Sequence, residues 1–181
     1  MNVLLKLCIT VGITLVILSG YQWWIGSSSV LPIDAASHPP LSVDISSTHE
    51  GEYIADLKIP ALEKKFKVYW GTAEDSLNRG VGMFDSQYTT APDKEKHTVL
   101  SGHRDTVFTE LGTLEEGHIL QVQYNAELYE YEIQDIWITD ADDLTVIVEK
   151  DQPTLTLTTC YPFNYIGTAP ERYVIQAEKN H

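Results

Sequence analysis

The sequence predicts an all-β domain, closed or nearly closed into a barrel, carried behind one N-terminal transmembrane helix. Three observations predict it. From Gly51 onward, short runs of β-branched and aromatic residues recur, separated by connections of roughly 8–15 residues. Only two stretches, 74–80 and 142–148, read as short helices. The first 25 residues contain an uncharged apolar run of bilayer length. Closure into a barrel leaves many short strands without exposed edges.

Taken in order, residues 7–25 form 19 uncharged positions, LCITVGITLVILSGYQWWI. As a helix rising 1.5 Å per residue they would reach about 28 Å, close to a bilayer's hydrocarbon thickness. The terminal amine and Lys6 precede the run, which favours a cytoplasmic N-terminus, and Tyr21, Trp23 and Trp24 fall at the far end, where amphipathic rings prefer the interface. A cleaved signal peptide is the competing reading: the most apolar part, 7–18, is short, and Ser27-Ser28-Ser29 offers small residues for cleavage. Either way the rest of the chain is exported. Residues 26–50, rich in Ser, Pro, Asp and His, lack strand or helix periodicity and read as an extracytoplasmic linker. His38 and His49 lie there, and a mobile segment does not hold a base in place. The domain division is thus 1–25 anchor, 26–50 linker and 51–181 β-barrel. Strands are expected at Tyr53–Ile59, 66–70, 98–102, Ile119–Tyr124, 128–139, 154–159 and 172–177.

Composition narrows the function classes. With 43% apolar and 10% aromatic residues, the chain can build a real core. Beyond residue 33, 11 basic residues face 26 acidic ones, a net −15. A nucleic-acid binder needs a basic face, so that class is excluded, and adhesion to anionic lipid is disfavoured. Two cysteines, Cys8 and Cys160, lie far apart and make no disulfide scaffold. Cys8 falls inside the apolar run and is an apolar filler there.

The chemistry-bearing residues are Cys160, His103 and Arg172. Cys160 ends the Thr/Leu strand 154–159 and precedes Tyr161-Pro162, where proline cannot continue a ladder. A cysteine at the lip of a barrel is partly exposed and able to react; the alternative is a buried small hydrophobe. His103 stands just past a β run in Leu100-Ser101-Gly102-His103-Arg104-Asp105, with Gly102 permitting a tight approach. Arg172 opens the last strand after an 11-residue loop that returns the chain beside its start. Separately, His103 reads equally as a core-satisfied or surface imidazole, and Arg172 as half of a surface ion pair. Together they supply a thiol nucleophile, an imidazole for proton transfer and a fixed cation for an oxyanion. Arg104 reads as a structural arginine. His97, His118 and His181 adjoin no strand end with such a set.

Thr156-Leu157-Thr158-Thr159-Cys160 resembles the TLxTC motif of the sortases, the cysteine transpeptidases of Gram-positive cell surfaces. The resemblance runs over most of 52–178: Ile59-Pro60, Val68-Tyr69-Trp70-Gly71-Thr72, Arg79-Gly80-Val81-Gly82, Ser101-Gly102-His103-Arg104-Asp105 and Ala169-Pro170-Glu171-Arg172-Tyr173. The short chain and Thr-Leu-Thr-Thr-Cys-Tyr-Pro-Phe look most like class D. The resemblance implies an eight-stranded β-barrel with one or two short helices, and no cofactor. It implies cleavage of an LPxTG-like C-terminal sorting signal after Thr through a thioacyl intermediate on Cys160. His103 would protonate the leaving amine, and Arg172 would hold the signal and its oxyanion. The protein would pass to a peptidoglycan precursor amine at the outer face of a membrane crossed once. Ser101, Thr159 and Tyr161 are the candidate substrate-binding residues. The loop 140–153 would line the groove. Its Asp140, Asp142 and Asp143, with Glu95, Asp93 or Asp85 opposite, read as a solvated acidic surface, the alternative being a calcium site of oxygen ligands; no metal ligand is assigned. A non-catalytic tethered binding module would leave the Cys–His–Arg set without purpose. An L,D-transpeptidase normally carries Ser-His-Gly before its cysteine, which Leu157-Thr158-Thr159 does not supply.

Overall fold

The computed structural model describes residues 3–165 and 167–179. Helix α1 (Val3–Ser28) is apolar on every side, with no stripe facing the domain, and its side chains from Val3 to Tyr21 are exposed. Its first 23 residues, Val3–Ile25, reach about 35 Å at 1.5 Å per residue, enough to cross a bilayer. Thr10 and Thr14 turn their hydroxyls back onto the carbonyls of Leu7 and Thr10, so the helix carries its few polar groups already paired.

The domain is built from β1 (Val30–Pro32), β2 (Tyr53–Ile59), β3 (Lys64–Trp70), α2 (Glu74–Arg79), β4 (Val81–Met83), β5 (His97–Ser101), β6 (Ile119–Tyr124), β7 (Glu127–Asp140), β8 (Thr154–Tyr161) and β9 (Glu171–Lys179). The strand order is β1-β3-β2-β6-β7-β9-β8-β5-β4, and β4 pairs back onto β3. Eight strands therefore close into the barrel, and β1 lies outside it on the free half of β3. Most pairs are antiparallel; β3–β4 and β5–β8 are parallel.

Alternation explains the closure. In β6, Leu120, Val122 and Tyr124 are buried while Ile119, Gln121 and Gln123 face outward. On β8, Leu155 and Leu157 fill the same core as Phe66, Val68, Phe108, Tyr131 and Ile175. Each such side chain contributes roughly 1.5–3 kcal/mol by leaving water.

The structure differs from the sequence reading in three places. Residues 30–48 are no loose linker. Val30 pairs with Phe66, Val43 and Ile45 pack on the core, and Val43 N–H donates to Asn125 Oδ1 at 2.6 Å. The cause is a buried polar pair on the barrel's flank. Asp56 and Lys65 are almost fully enclosed, and this segment supplies partners to both: Ser37 bonds Asp56, which also accepts from Tyr53 Oη, and Lys65 donates to Ala35 O and to Ser37. The 142–148 stretch is not helical. Asp143 accepts from Thr139 Oγ1 and from the N–H and Oγ1 of Thr145, an Asx-turn network that competes with a helix. The short strand β4 had no sequence signal of its own.

Candidate active site

Cys160 and Arg172 are register partners across β8 and β9, directly opposite each other in an antiparallel pair, so their side chains share one face. Cys160 is a free, half-buried thiol. On its other side β5 runs parallel to β8 with Ser101 beside Thr158. Gly102 N–H then donates to Thr158 O at 3.2 Å, and His103 follows it in the turn just past the end of β5. The three candidate residues thus stand on β8, on β9 and just past the end of β5, which are neighbouring strands.

His103 sits at a turn stapled by its own carbonyl, which accepts from the N–H groups of Val107 and Phe108 at 3.1 and 2.8 Å. Gly102 allows the chain to pass there. A Cβ on it would stand 2.8 Å from Cδ2 of Phe108, a ring 1% exposed. The imidazole Nε2 lies 3.9 Å from Oε1 of Glu74, the first residue of α2, and the His103 side chain keeps 29% of its surface exposed. It is therefore not a core-satisfied imidazole. Arg172 is not half of a surface ion pair: among the described residues no carboxylate lies within ion-pair distance of it. Its Nη1 donates instead to the carbonyls of Glu171 and Ala169, at 2.9 and 3.4 Å, which fix one arm of the guanidinium at the start of β9.

Two residues from Cys160 on the same strand face, Thr158 borders a groove of about 480 Å³. Its floor holds Ser101, Val174, Thr139 and Arg172. Its walls are Phe84, Ser86 and Tyr88 from the β4–β5 connection and Val146 and Ile147 from the β7–β8 loop. Most of the lining surface is apolar; its polar points are Arg172, a few hydroxyls and the carboxylates Asp140, Asp142 and Asp143 at the end of β7 and just after it, a lining suited to an extended peptide with bulky apolar side chains. Ser101 Oγ and Thr158 Oγ1 lie 2.8 Å apart across the floor.

Thr159 has the opposite parity. Its side chain is buried, and its hydroxyl donates to Gly102 O at 2.7 Å, which ties the neighbour of Cys160 to the His103 turn. Tyr161 stacks on Tyr173 and meets Phe163 edge-on, with centroids 6.1 and 5.7 Å apart. Arg104 Nη2 donates to the carbonyls of Tyr165 and Gly167 in the β8–β9 loop.

The other histidines have structural partners or lie elsewhere. His97 is buried. Its Nδ1 lies 2.7 Å from Val148 O and its Nε2 2.8 Å from Thr156 Oγ1. A carbonyl only accepts, so Nδ1 carries the proton and the neutral ring takes the Thr156 hydroxyl at Nε2. Burial holds the imidazole below its ordinary range; the bond to Val148 opposes this, and Lys150 adds to it. His118 Nδ1 accepts from Glu115 N–H, and His181 lies outside the described residues. The carboxylates weighed for calcium do not converge. Glu95 pairs with Lys179, Asp93 with Lys94, and Asp143 with Thr139 and Thr145. Among the described residues, no group of three or more His, Cys, Asp or Glu is arranged to hold a metal.

Sequence reasoning missed Glu74 and the apolar groove walls Phe84, Val146 and Ile147. Glu74 is an exposed first-turn acid, and the walls sit in connections without periodicity, so only the fold brings them to the site.

The family pattern described as a sortase domain matches residues 57–180. The chain is 40% identical to Sortase D of Bacillus subtilis (strain 168) over 130 residues, 71% of this chain and 65% of that relative; it thus spans under two thirds of that relative's length. Among solved structures it is similar to the catalytic domain of B. anthracis SrtD, at 53% identity and a TM-score of 0.64, over 82% of this chain and 96% of that one. A Clostridium perfringens sortase D5 transpeptidase shares the fold at 23% identity and a TM-score of 0.67, over 76% of this chain and 84% of that one.

Proposed function

The chain belongs to the sortase family, in class D, and from that premise we propose that it is a membrane-anchored cysteine transpeptidase that attaches secreted proteins to the cell wall. The observation that carries this reading is the facing pair Cys160 and Arg172, with His103 just past the end of the neighbouring β5 and Arg172 lining a largely apolar groove. In this reading an LPxTG-like signal lies in the groove with its Leu-Pro portion against Phe84, Val146 and Ile147. Its Thr carbonyl sits over Cys160.

The Cys160 sulfur attacks that carbonyl carbon. Arg172 stabilises the oxyanion with a planar, permanently charged fork. As the tetrahedral species collapses, the C–N bond breaks and His103 gives its proton to the leaving amine, which leaves a thioacyl enzyme. An incoming peptidoglycan precursor amine attacks the thioester, loses a proton to His103, and expels the thiolate. Ser101 is proposed to face the signal from the groove floor and Tyr161 to border the site from the end of β8. Thr159 reaches the substrate through its main chain alone, since its hydroxyl is bonded to Gly102. In the same reading residues 1–25 anchor the chain, 26–50 connect it and 51–181 form the catalytic domain, outside the membrane.

Incubating the protein with a library of LPxT-containing peptides and weighing the products tests this. The wild type is expected to form a mass adduct on Cys160 and to release the residues after Thr. Cys160→Ala is expected to do neither while keeping its melting temperature, because losing a covalent nucleophile leaves almost no catalysis. Turnover above a few per cent of wild type in Cys160→Ala, or no adduct with any peptide, refutes the reading.

A further inference from the structure

Arg104 stands next to His103 but points away from the groove chemistry. Its Nη2 donates to two carbonyls of the β8–β9 loop, Tyr165 O at 2.6 Å and Gly167 O at 3.1 Å. The guanidinium carbon lies 5.8 Å from the Tyr165 ring centroid. This loop begins just after the nucleophile and ends at Arg172, and its Ala169 carbonyl accepts from Arg172 Nη1.

On the opposite side of His103, Gly102 is bonded to β8 twice. Its N–H donates to Thr158 O, and its carbonyl accepts the Thr159 hydroxyl. The backbone of His103 is therefore held between two staples. One leads to the residues before Cys160 and the other to the loop after it.

We infer that Arg104 is a positioning residue, fixing the His103 main chain to the loop that joins Cys160 to Arg172. The inference rests on the sortase reading for its kinetic consequence, though not for the clamp itself. Arginine suits this place because Nη2 meets both carbonyls while the flat guanidinium lies beside the Tyr165 ring. A lysine ammonium, a shorter and rounder head, would not keep both the carbonyls and the ring contact in the same geometry. The Arg104 side chain is half-buried at this seam, with its Nη1 covered and without a hydrogen-bond partner among the described residues.

The test compares Arg104→Lys and Arg104→Ala with wild type, as full chains in detergent. Single-turnover thioacyl formation is measured over a range of LPxT peptide concentrations. Melting temperature and amide exchange in the β8–β9 loop are followed alongside. The maximal acylation rate is expected to fall roughly 10-fold in Arg104→Lys and about 10²-fold in Arg104→Ala, the scale on which small misplacements act. The half-saturating peptide concentration should stay within about twofold, because the groove walls are untouched, and loop exchange should rise with little change in melting temperature.

A maximal rate within twofold of wild type in Arg104→Ala overturns the inference, as does a loss confined to half-saturation. If the alanine variant does not fold, the lysine variant carries the same criteria. Exchange is read without substrate. A wild type that forms no adduct therefore sinks the sorting reading, while unchanged loop exchange in both variants sinks the clamp.

Discussion

At the proposed oxyanion site a single side chain, Arg172, decides between two physical pictures. If Arg172 acts only as a local positive charge, lysine is an adequate replacement. If it presents an oriented donor, lysine is not, because it lacks the planar fork. The carbonyls of Glu171 and Ala169 already hold one arm of that fork, and a lysine cannot keep both this anchorage and a donor on the substrate. Arg172→Lys is expected to slow thioacyl formation by roughly 10²–10³-fold, the range seen for losing one oxyanion donor. Melting temperature should hardly move, since the residue lies at the groove and outside the core. Near-normal acylation in this variant would remove Arg172 from the catalytic set. Gly102 makes a different kind of demand. A methyl group there meets the buried Phe108 ring, which has nowhere to go, so Gly102→Ala is expected to cost about 1–3 kcal/mol as overpacking. Because His103 is the next residue, the variant should lose activity at temperatures where it is still folded. A Gly102→Ala protein as stable and as active as wild type would contradict the packing described for this turn.

Among the elements, the β7–β8 loop is the groove's movable-looking wall, yet it is pinned at both ends. Asp143 closes its start onto Thr139 and Thr145, Ala141 N–H reaches Pro170 O at 3.1 Å, and the buried His97 holds Val148 at its end. This last pin gives a pH dependence of definite sign. Burial depresses the folded-state pKa of His97. Above about 6.5, the ordinary imidazole value, neither state binds the proton and the pin contributes fully. As pH falls below that value the unfolded chain binds the proton first, so stability is lost until the folded pKa is reached. Wild-type melting temperature is expected to drop more between pH 7.5 and 5 than that of His97→Leu, which begins less stable by about 1–3 kcal/mol because two partners are left unpaired. Parallel curves would refute the assignment. The elements also show what a sequence can and cannot say. Tyr53–Ile59 and Ile119–Tyr124 were legible to the residue, because alternation and β-branching are local. The places of Cys160, His103 and Arg172, each at or just past a strand end, were legible from the strand pattern around them. The helix expected at 142–148 failed for lack of any local sign that Asp143 would bond Thr139 and Thr145. The docking of 30–48 depends on Asp56 and Lys65 being buried far along the chain, and the groove walls depend on barrel closure.

For the whole molecule the open matter is how the barrel meets the membrane. Only Ser29 separates α1 from β1, and β1 is hydrogen-bonded to the barrel wall, so the domain sits directly at the end of the helix with no slack between them. The helix end and the barrel enclose a small cavity lined by Ile25, Ser28, Leu31, Tyr69 and Arg79. Two processing fates fit the same barrel. Cleavage after Ser29 would leave Val30 opposite Phe66, with β1, the buried Asp56–Ser37–Lys65 cluster and the catalytic end intact. Catalytic assays on a soluble fragment therefore cannot separate an anchored enzyme from a released one. The helix itself argues for retention. In water it would expose apolar side chains around its whole circumference, Leu4 at 71% and Val16 at 73% among them, and only a bilayer removes that surface. Trp23 and Trp24, near its end, stand where indole rings favour the headgroup region. The protein is expected to sediment with membranes, to resist extraction by high salt or alkaline carbonate, and to enter solution in detergent. Intact-mass measurement of the extracted chain should find α1 still attached. A mature chain beginning near Val30, recovered without detergent, would instead establish α1 as a removed signal peptide and leave the barrel free of the membrane.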